Sequence, residues 1–311
     1  MRTFYEPVAL TPYEVKDIAQ ALLAVVRPLT ADKTLDWCRA PTGMQPDVYL
    51  SHLRNVDLAE EMEESEGYRF GQSSNRHLQR MVLDEQGRYA GKPVALLGED
   101  ESTHHAWRFE NDEQKAQLLQ ILDDAAGDNM AQLSAQFTLA SRIVALRKYW
   151  STHHLLFLQG SGGTAVLAAV TVRNRKVWWQ RHLQTRALEK AKIRMVHYDR
   201  NQDFNPEGYA PLPFWPLFWD YVQRCALTDV HTMLPMPDWS MMVRLHRTSH
   251  LPQQGVGDIA HAILRELEKE PASINDLMRQ QAGQDPEEWF RAMVGLLFIR
   301  AITFDITQST F

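Results

Sequence analysis

Hydrophobic positions recur at helical spacing in some stretches of this chain and alternate in strand fashion in others. In residues 11–27, Ile18, Leu22 and Val25/Val26 share one face. Thr11 and Glu14 have capping-box spacing, and Pro12 suits the first helical position. That spacing predicts a helix ended by Pro28. Residues 30–91 are polar and irregular, with an acidic run over 55–66 predicted as a solvated helix and 67–74 as a loop. Region 1–91 is therefore expected to be mainly helical.

The pattern changes from residue 92. Short strand-like segments, 92–97 and 104–109, flank an acidic turn, and helices are predicted over 114–122 and 130–150. The second carries Leu133, Phe137 and Val144 at helical spacing. Three apolar runs follow, 154–159, 164–172 and 177–182, separated by the breaks GSGG and RNRK. They predict an antiparallel meander. Residues 185–195 read as a basic helix, 205–216 with four prolines as an aromatic-rich loop, and 217–226 as a short helix. Together they form an expected α+β central domain, 92–250.

The clearest pattern is C-terminal. Val256, Ile259, Ile263 and Leu267 line a first helix, and Ser273 with Asp276 opens a second. Asp285-Pro286-Glu287-Glu288 opens a third, whose buried stripe is Trp289, Met293 and Leu296/Leu297. Ile302, Phe304 and Ile306 then alternate with polar residues as in a half-buried strand. The order helix–helix–helix–strand over 256–311 resembles the winged-helix family. The resemblance implies either DNA binding through the third helix or docking on a protein. Groove binding wants basic side chains at the start of that helix, but this one opens with Asp285, Glu287 and Glu288. Nine acids against five bases leave the module at −4, which is unfavourable for DNA. Asp285, Glu287, Glu288 and Arg291 are therefore candidates for contact with a protein partner. The fold class expected for the whole is α+β: a helical N-terminal part, a central antiparallel sheet and this winged-helix-like module.

Charge sharpens the picture of the centre. The 311-residue chain carries a net −6, yet residues 142–200 hold twelve bases against Glu189 and Asp199. A +10 segment inside an acidic protein points to an anionic partner. Tyr149, Trp150, Trp178 and Trp179 are interleaved with these bases, a combination suited to single strands and bent backbones. The candidate nucleic-acid residues are Arg147, Lys148, Arg173, Arg175, Lys176, Trp179, Arg181 and Arg186.

Catalytic chemistry finds less support. GSGG at 160–163 has no lysine where a phosphate-binding loop needs one and is expected to be a hairpin turn. His104, His153, His197 and Asp199 are a conceivable metal set, but adjacent histidines on a strand face opposite ways. Arg244 and His250 match a loose ribonuclease spacing. No catalytic residue, metal or cofactor is assigned. Two distant cysteines, Cys38 and Cys225, argue against a disulfide framework. With no apolar run long enough to span a membrane and no signal-peptide pattern, a cytoplasmic location is expected. The function expected is a non-enzymatic subunit of a multiprotein assembly that contacts both nucleic acid and a protein partner. The alternatives are a winged-helix transcriptional regulator and a nuclease or other phosphate-handling enzyme built on the central histidines.

Overall fold

The computed structural model describes residues 1–7, 10, 12–23, 27–28, 34–52, 94–97, 112–160, 165–198, 207–233, 239–253, 255–281 and 283–305. Helices and strands are both abundant and the central sheet is antiparallel, so the α+β class is the one found. Contacts divide the chain into two compact units. One holds Met1–Ala40 and Gln45–Met130, the other Pro41–Met44 and Ala131–Phe311. The expected boundary at residue 91 lies outside the described residues, as do the acidic run 55–66, the loop 67–74 and the segment 104–109.

The described part of the first unit adds to helix α1 a sheet that the sequence pattern did not predict. Strand β1 (Arg2–Pro7) lies between β3 (Thr34–Arg39) and β4 (Val48–His52), parallel to both. β5 (Val94–Leu97) extends the sheet parallel to β4, and the short β2 (Arg27–Pro28) pairs antiparallel with β3 on the opposite edge. Helix α1 (Pro12–Leu23) buries Ile18 and Leu22 as predicted, with Glu14 and Ala21 also buried, while Val25 and Val26 lie outside the described residues. It ends before residue 27, because Arg27 and Pro28 already pair with Leu35 and Thr34. The strands went unseen for a physical reason. Parallel strands covered on both faces do not alternate, and Val48, Tyr49, Leu50 and Ser51 are all buried. Asp47 looks like a turn residue, yet its carboxylate accepts the Phe4 N–H at 2.8 Å.

Helix α2 (Asp112–Ala145) joins the two helices predicted there. The break narrows to Gly127 at φ 43° and ψ −131°, a conformation that glycine tolerates.

In the second unit, β6 (His153–Leu158), β7 (Val166–Thr171) and β8 (Lys176–Gln180) form the predicted meander. Two further strands complete the order β10-β8-β7-β6-β9. β9 (Lys192–His197) replaces the second half of the expected basic helix, of which α3 (Thr185–Lys190) is all that forms. Residues 192–197 alternate with a strand's period, and β6 offers them an edge to pair with from Leu158↔Lys192 to His153↔His197. β10 (Tyr209–Pro213) replaces part of the expected loop; its prolines are tolerated because it is an edge strand. One face of this sheet buries Leu155, Phe157, Ala168, Val170, Val177 and Trp179. Against it, the Arg142 guanidinium of α2 sits 5.5 Å from the Phe157 ring centroid. The same guanidinium donates to the carbonyls of Leu188, Glu189 and Ala191 at the end of α3.

Helix α4 (Phe214–Arg224) starts three residues before the predicted helix, taking in Phe214 and Trp215. Trp150 packs on Phe214, Phe218 and Phe298. After α5 (Leu227–Met233) come β11 (Met242–Leu245), α6 (Asp258–Lys269), β12 (Ala272–Ser273), α7 (Ile274–Gln280), α8 (Pro286–Phe298) and β13 (Ile302–Phe304). The two predicted caps are made: Ser273 Oγ accepts the Asp276 N–H at 3.1 Å, and Asp285 Oδ1 accepts the Glu287 N–H at 2.8 Å. The expected module is nevertheless not closed on itself. β11 comes from before residue 250, yet it is the middle strand of the sheet β12-β11-β13. The N–H of Asp258, opening α6, donates to Thr42 O at 2.9 Å, so a distant turn satisfies that helix start.

Helices α8 and α4 approach closely at Gly295. A Cβ there would stand 2.8 Å from Trp219 Cζ3 and 3.1 Å from Gln223 Nε2. Helix propensity alone would make Gly295→Ala stabilising by about 1 kcal/mol. Trp219 is buried, so overpacking at about 1–3 kcal/mol prevails. The expected result is a lower urea midpoint for the variant.

Candidate nucleic-acid interface

The basic segment folds into the antiparallel sheet and its connections. Among the described residues from 142 to 198 there are eleven bases and one acid, Glu189. Strand alternation and register sort them. Directly opposed residues share a face, so Trp178, Ala169, Leu156 and Arg194 form one row across β8, β7, β6 and β9. Lys176, Thr171, His154 and Val196 form the next row on the same face. Lys192 pairs with Leu158 beyond the first row. Lys176, Lys192 and Arg194 are exposed, Trp178 is half-buried, and the five strands contain no Asp or Glu. Leu156, Ala169 and Val196 make a small apolar floor beneath them, extended by Leu158 and Val166.

One end of this face is ordered by hydrogen bonds. Tyr198 Oη donates to Trp150 O at 2.8 Å and accepts the Arg173 N–H at 3.1 Å. The exposed Arg173 guanidinium lies 5.8 Å from the Tyr198 ring centroid. His154 packs edge-on to Tyr198 at 4.4 Å and bonds through Nδ1 to Thr171 Oγ1 at 2.9 Å. Burial holds the His154 pKa below the ordinary value.

The predicted residues do not all converge. Arg173 and Lys176 belong to this face or its edge. Lys148 is exposed, with its ammonium 5.0 Å from the Tyr149 ring centroid. Arg181 and Arg186 are exposed, after β8 and on α3. Trp179 is a correction: it is 3% exposed and points into the core, and its neighbour Trp178 occupies the open face. Arg147 is committed to the carbonyls of Met233 and Thr232 at the end of α5. Lys192, Arg194 and Trp178 share this face with Lys176 and were not among the predicted residues. Period-two spacing of Lys192, Arg194 and Val196 was the available signal, hidden by the helix predicted there.

Arg175 has a structural task. It sits at φ 53° in the turn between β7 and β8, 5.6 Å from the Trp215 ring centroid. Its Nη1 donates to His250 Nε2 at 3.1 Å, while His250 Nδ1 donates to Ile299 O at 2.6 Å. A guanidinium can only donate and a carbonyl only accept, so His250 is the neutral Nδ1–H tautomer. It is 4% exposed and stacked on Trp215 at 4.4 Å. Burial is the main cause of its lowered pKa; Arg175, Arg247 and His246 lower it further and the Ile299 bond opposes them. A histidine in this state is a core acceptor, which removes the basis of the Arg244–His250 ribonuclease pairing.

The sign of its pH effect follows. The unfolded chain takes up a proton near pH 6.5 that folded His250 refuses. Its stabilising contribution is full above that pH and declines as pH falls toward the lower folded value. Unfolding midpoints measured from pH 8 to 5 should therefore decline less in His250→Asn, which keeps a donor and an acceptor but does not titrate.

His153 and His197 do meet, as a cross-strand pair with ring centroids 5.2 Å apart. His104 and Asp199 lie outside the described residues. No group of three His, Cys, Asp or Glu side chains placed to hold a metal occurs among the described residues. Cys225 is buried, and burial pushes its thiol pKa up to about 12.

The acidic start of α8 is also divided. Asp285 is an exposed cap, and Glu288 is half-exposed. Glu287 Oε1 accepts from Arg291 at 2.7 Å. Arg291, expected on the partner surface, is 1% exposed and donates to the carbonyls of Val222 and Cys225. Eight of the thirteen residues of α8 are buried, so this helix has no broad face to lay in a DNA groove. No helix among the described residues is long and apolar enough to cross a membrane. No protein-family model, curated protein or solved structure matches this chain.

Proposed function

We propose that this protein is a non-enzymatic subunit of a cytoplasmic multiprotein assembly. It contacts nucleic acid through the open face of the second unit's five-stranded sheet and a protein partner through its C-terminal elements. The observation carrying the first half is that Lys176, Lys192 and Arg194 stand exposed on one sheet face whose strands hold no acid. Such a face attracts a polyanion and releases its counterions.

The C-terminal elements support the second half by their charge and exposure. Asp285, Asp276, Met278, Arg279 and Gln280 are exposed, while the helix that would read a groove is mostly buried. We take these elements as winged-helix-like, with β11 pairing antiparallel beside β13. This arrangement favours docking over a groove-reading regulator.

Binding of the full chain to a labelled oligonucleotide, titrated across salt concentrations, tests the proposal. The triple change of Lys176, Lys192 and Arg194 to Glu should abolish measurable binding at 150 mM salt. Replacing the same three by Gln should flatten the plot of log K against log salt by roughly 2 to 3, at 0.7–0.9 per lost phosphate contact. Binding unchanged by both triple variants would refute the assignment.

A further inference from the structure

We infer that the open sheet face takes a single-stranded polynucleotide, laid across the strands with one base stacked on Trp178. This inference rests on the nucleic-acid contact proposed above and names the form of the polymer.

Three features of the face select a single strand. The first is a stackable ring in the middle of a sheet. Trp178 is half-buried, on the third residue of β8, with Lys176 two residues before it on the same face. The second is the surface beside the ring. Its cross-strand neighbour Ala169 is 3% exposed and joins Leu156 and Val196 in a small buried apolar cluster on the same face, so the half-buried indole is the aromatic surface this face offers. A base face prefers an indole to water, but in a duplex it is hidden in the stack. The third is the placement of charge. Lys176 lies on the β8 side, and Arg194 and Lys192 lie on the β9 side. Those strands are three spacings apart, roughly 14 Å at about 4.8 Å each. Cations on both margins of a face that carries one partly exposed ring match a chain whose phosphates and bases face different ways. Arg173 over Tyr198 adds a second cation beside a second ring at one end.

A duplex would use the same cations but not the indole. An acidic protein surface would also use the cations, without a flat ring to place on Trp178. Charge alone therefore does not separate the three ligands, and Trp178 does.

The test uses the full chain and three probes of equal length: a labelled oligo(dT), a random-sequence DNA duplex and poly-glutamate. The single strand should bind at least tenfold more tightly than either of the others at 150 mM salt. Trp178→Ala should weaken it about tenfold to a hundredfold, with a stacked base lost, and leave duplex binding and the unfolding midpoint unchanged. Trp178→Phe should recover most of that loss, and single-strand binding should quench tryptophan fluorescence in the wild type more than in Trp178→Ala. Equal or tighter duplex binding, or single-strand affinity indifferent to Trp178→Ala, would overturn the inference while leaving the nucleic-acid contact standing. Binding to poly-glutamate alone, or to none of the probes at 50 mM salt, would overturn the inference and the contact together.

Discussion

Replacing Arg291 by Met should lower the unfolding free energy by about 3 kcal/mol, the combined effect of lost charged hydrogen bonds and unsatisfied carbonyls. The side chain is 1% exposed and fills its space between α8 and the end of α4. Its Nη1 serves Val222 O at 3.1 Å and Cys225 O at 2.8 Å, two carbonyls at a helix C-terminus that have lost their intrahelical partners. Its Nε and Nη2 hold Glu287 Oε1 at 2.9 and 2.7 Å. Met keeps most of the volume and none of the donors. Glu287 is less affected, because its side chain is 42% exposed and regains water. Arg291→Lys should recover only part of the loss, since an ammonium cannot serve both carbonyls in the fork geometry. Urea unfolding checks this as a shift in midpoint with little change in slope. A midpoint unchanged by Arg291→Met would mean that Arg291 lies on the surface after all, available to a partner.

Trp179→Ala should cost about 3–5 kcal/mol, as large-to-small changes of a buried ring do, whereas Trp178→Ala should leave stability nearly unchanged. The two residues are neighbours in sequence and opposite in environment. Trp179 opposes Ala168 and Ala210 on the buried face, where the small cross-strand partners make room for its ring. Trp178 opposes Ala169 and Pro211 on the other. A paired thermal or urea unfolding measurement should rank wild type and Trp178→Ala together and Trp179→Ala far below. Reversal of that order would mean that the β8 register is shifted by one residue, which would exchange the two faces of the strand.

That pair also marks the limit of what alternation can tell. Adjacent tryptophans on a strand require one inside and one outside, but not which. The choice depends on register against β7 and β10, and those partners are brought together by tertiary structure. The same limit explains Arg175 and Arg147. In the sequence they are two more bases in a basic run. In the fold, one stacks on Trp215 beside His250 and the other ends α5, each with a residue distant in the chain.

What the sequence by itself determined are the features whose causes lie within a few residues. Helix α1, the meander β6–β8 and the helices α6, α7 and α8 follow from local periodicity and from caps such as Ser273 and Asp285, because a cap and the N–H it satisfies are at most three residues apart. The charge of the central segment is likewise a property of composition. Tertiary structure decided the rest. The parallel strands β1, β3 and β4 depend on partners far along the chain, and the consecutive buried residues of β1 and β4 give no alternation to announce them. β9 became a strand because β6 offered it an edge. Trp178 became the exposed ring, and Lys192 and Arg194 joined it on one face, because register aligns strands that are separated in sequence. A sheet face is made of such alignments, so the basic segment was legible in the sequence and the face it forms was not.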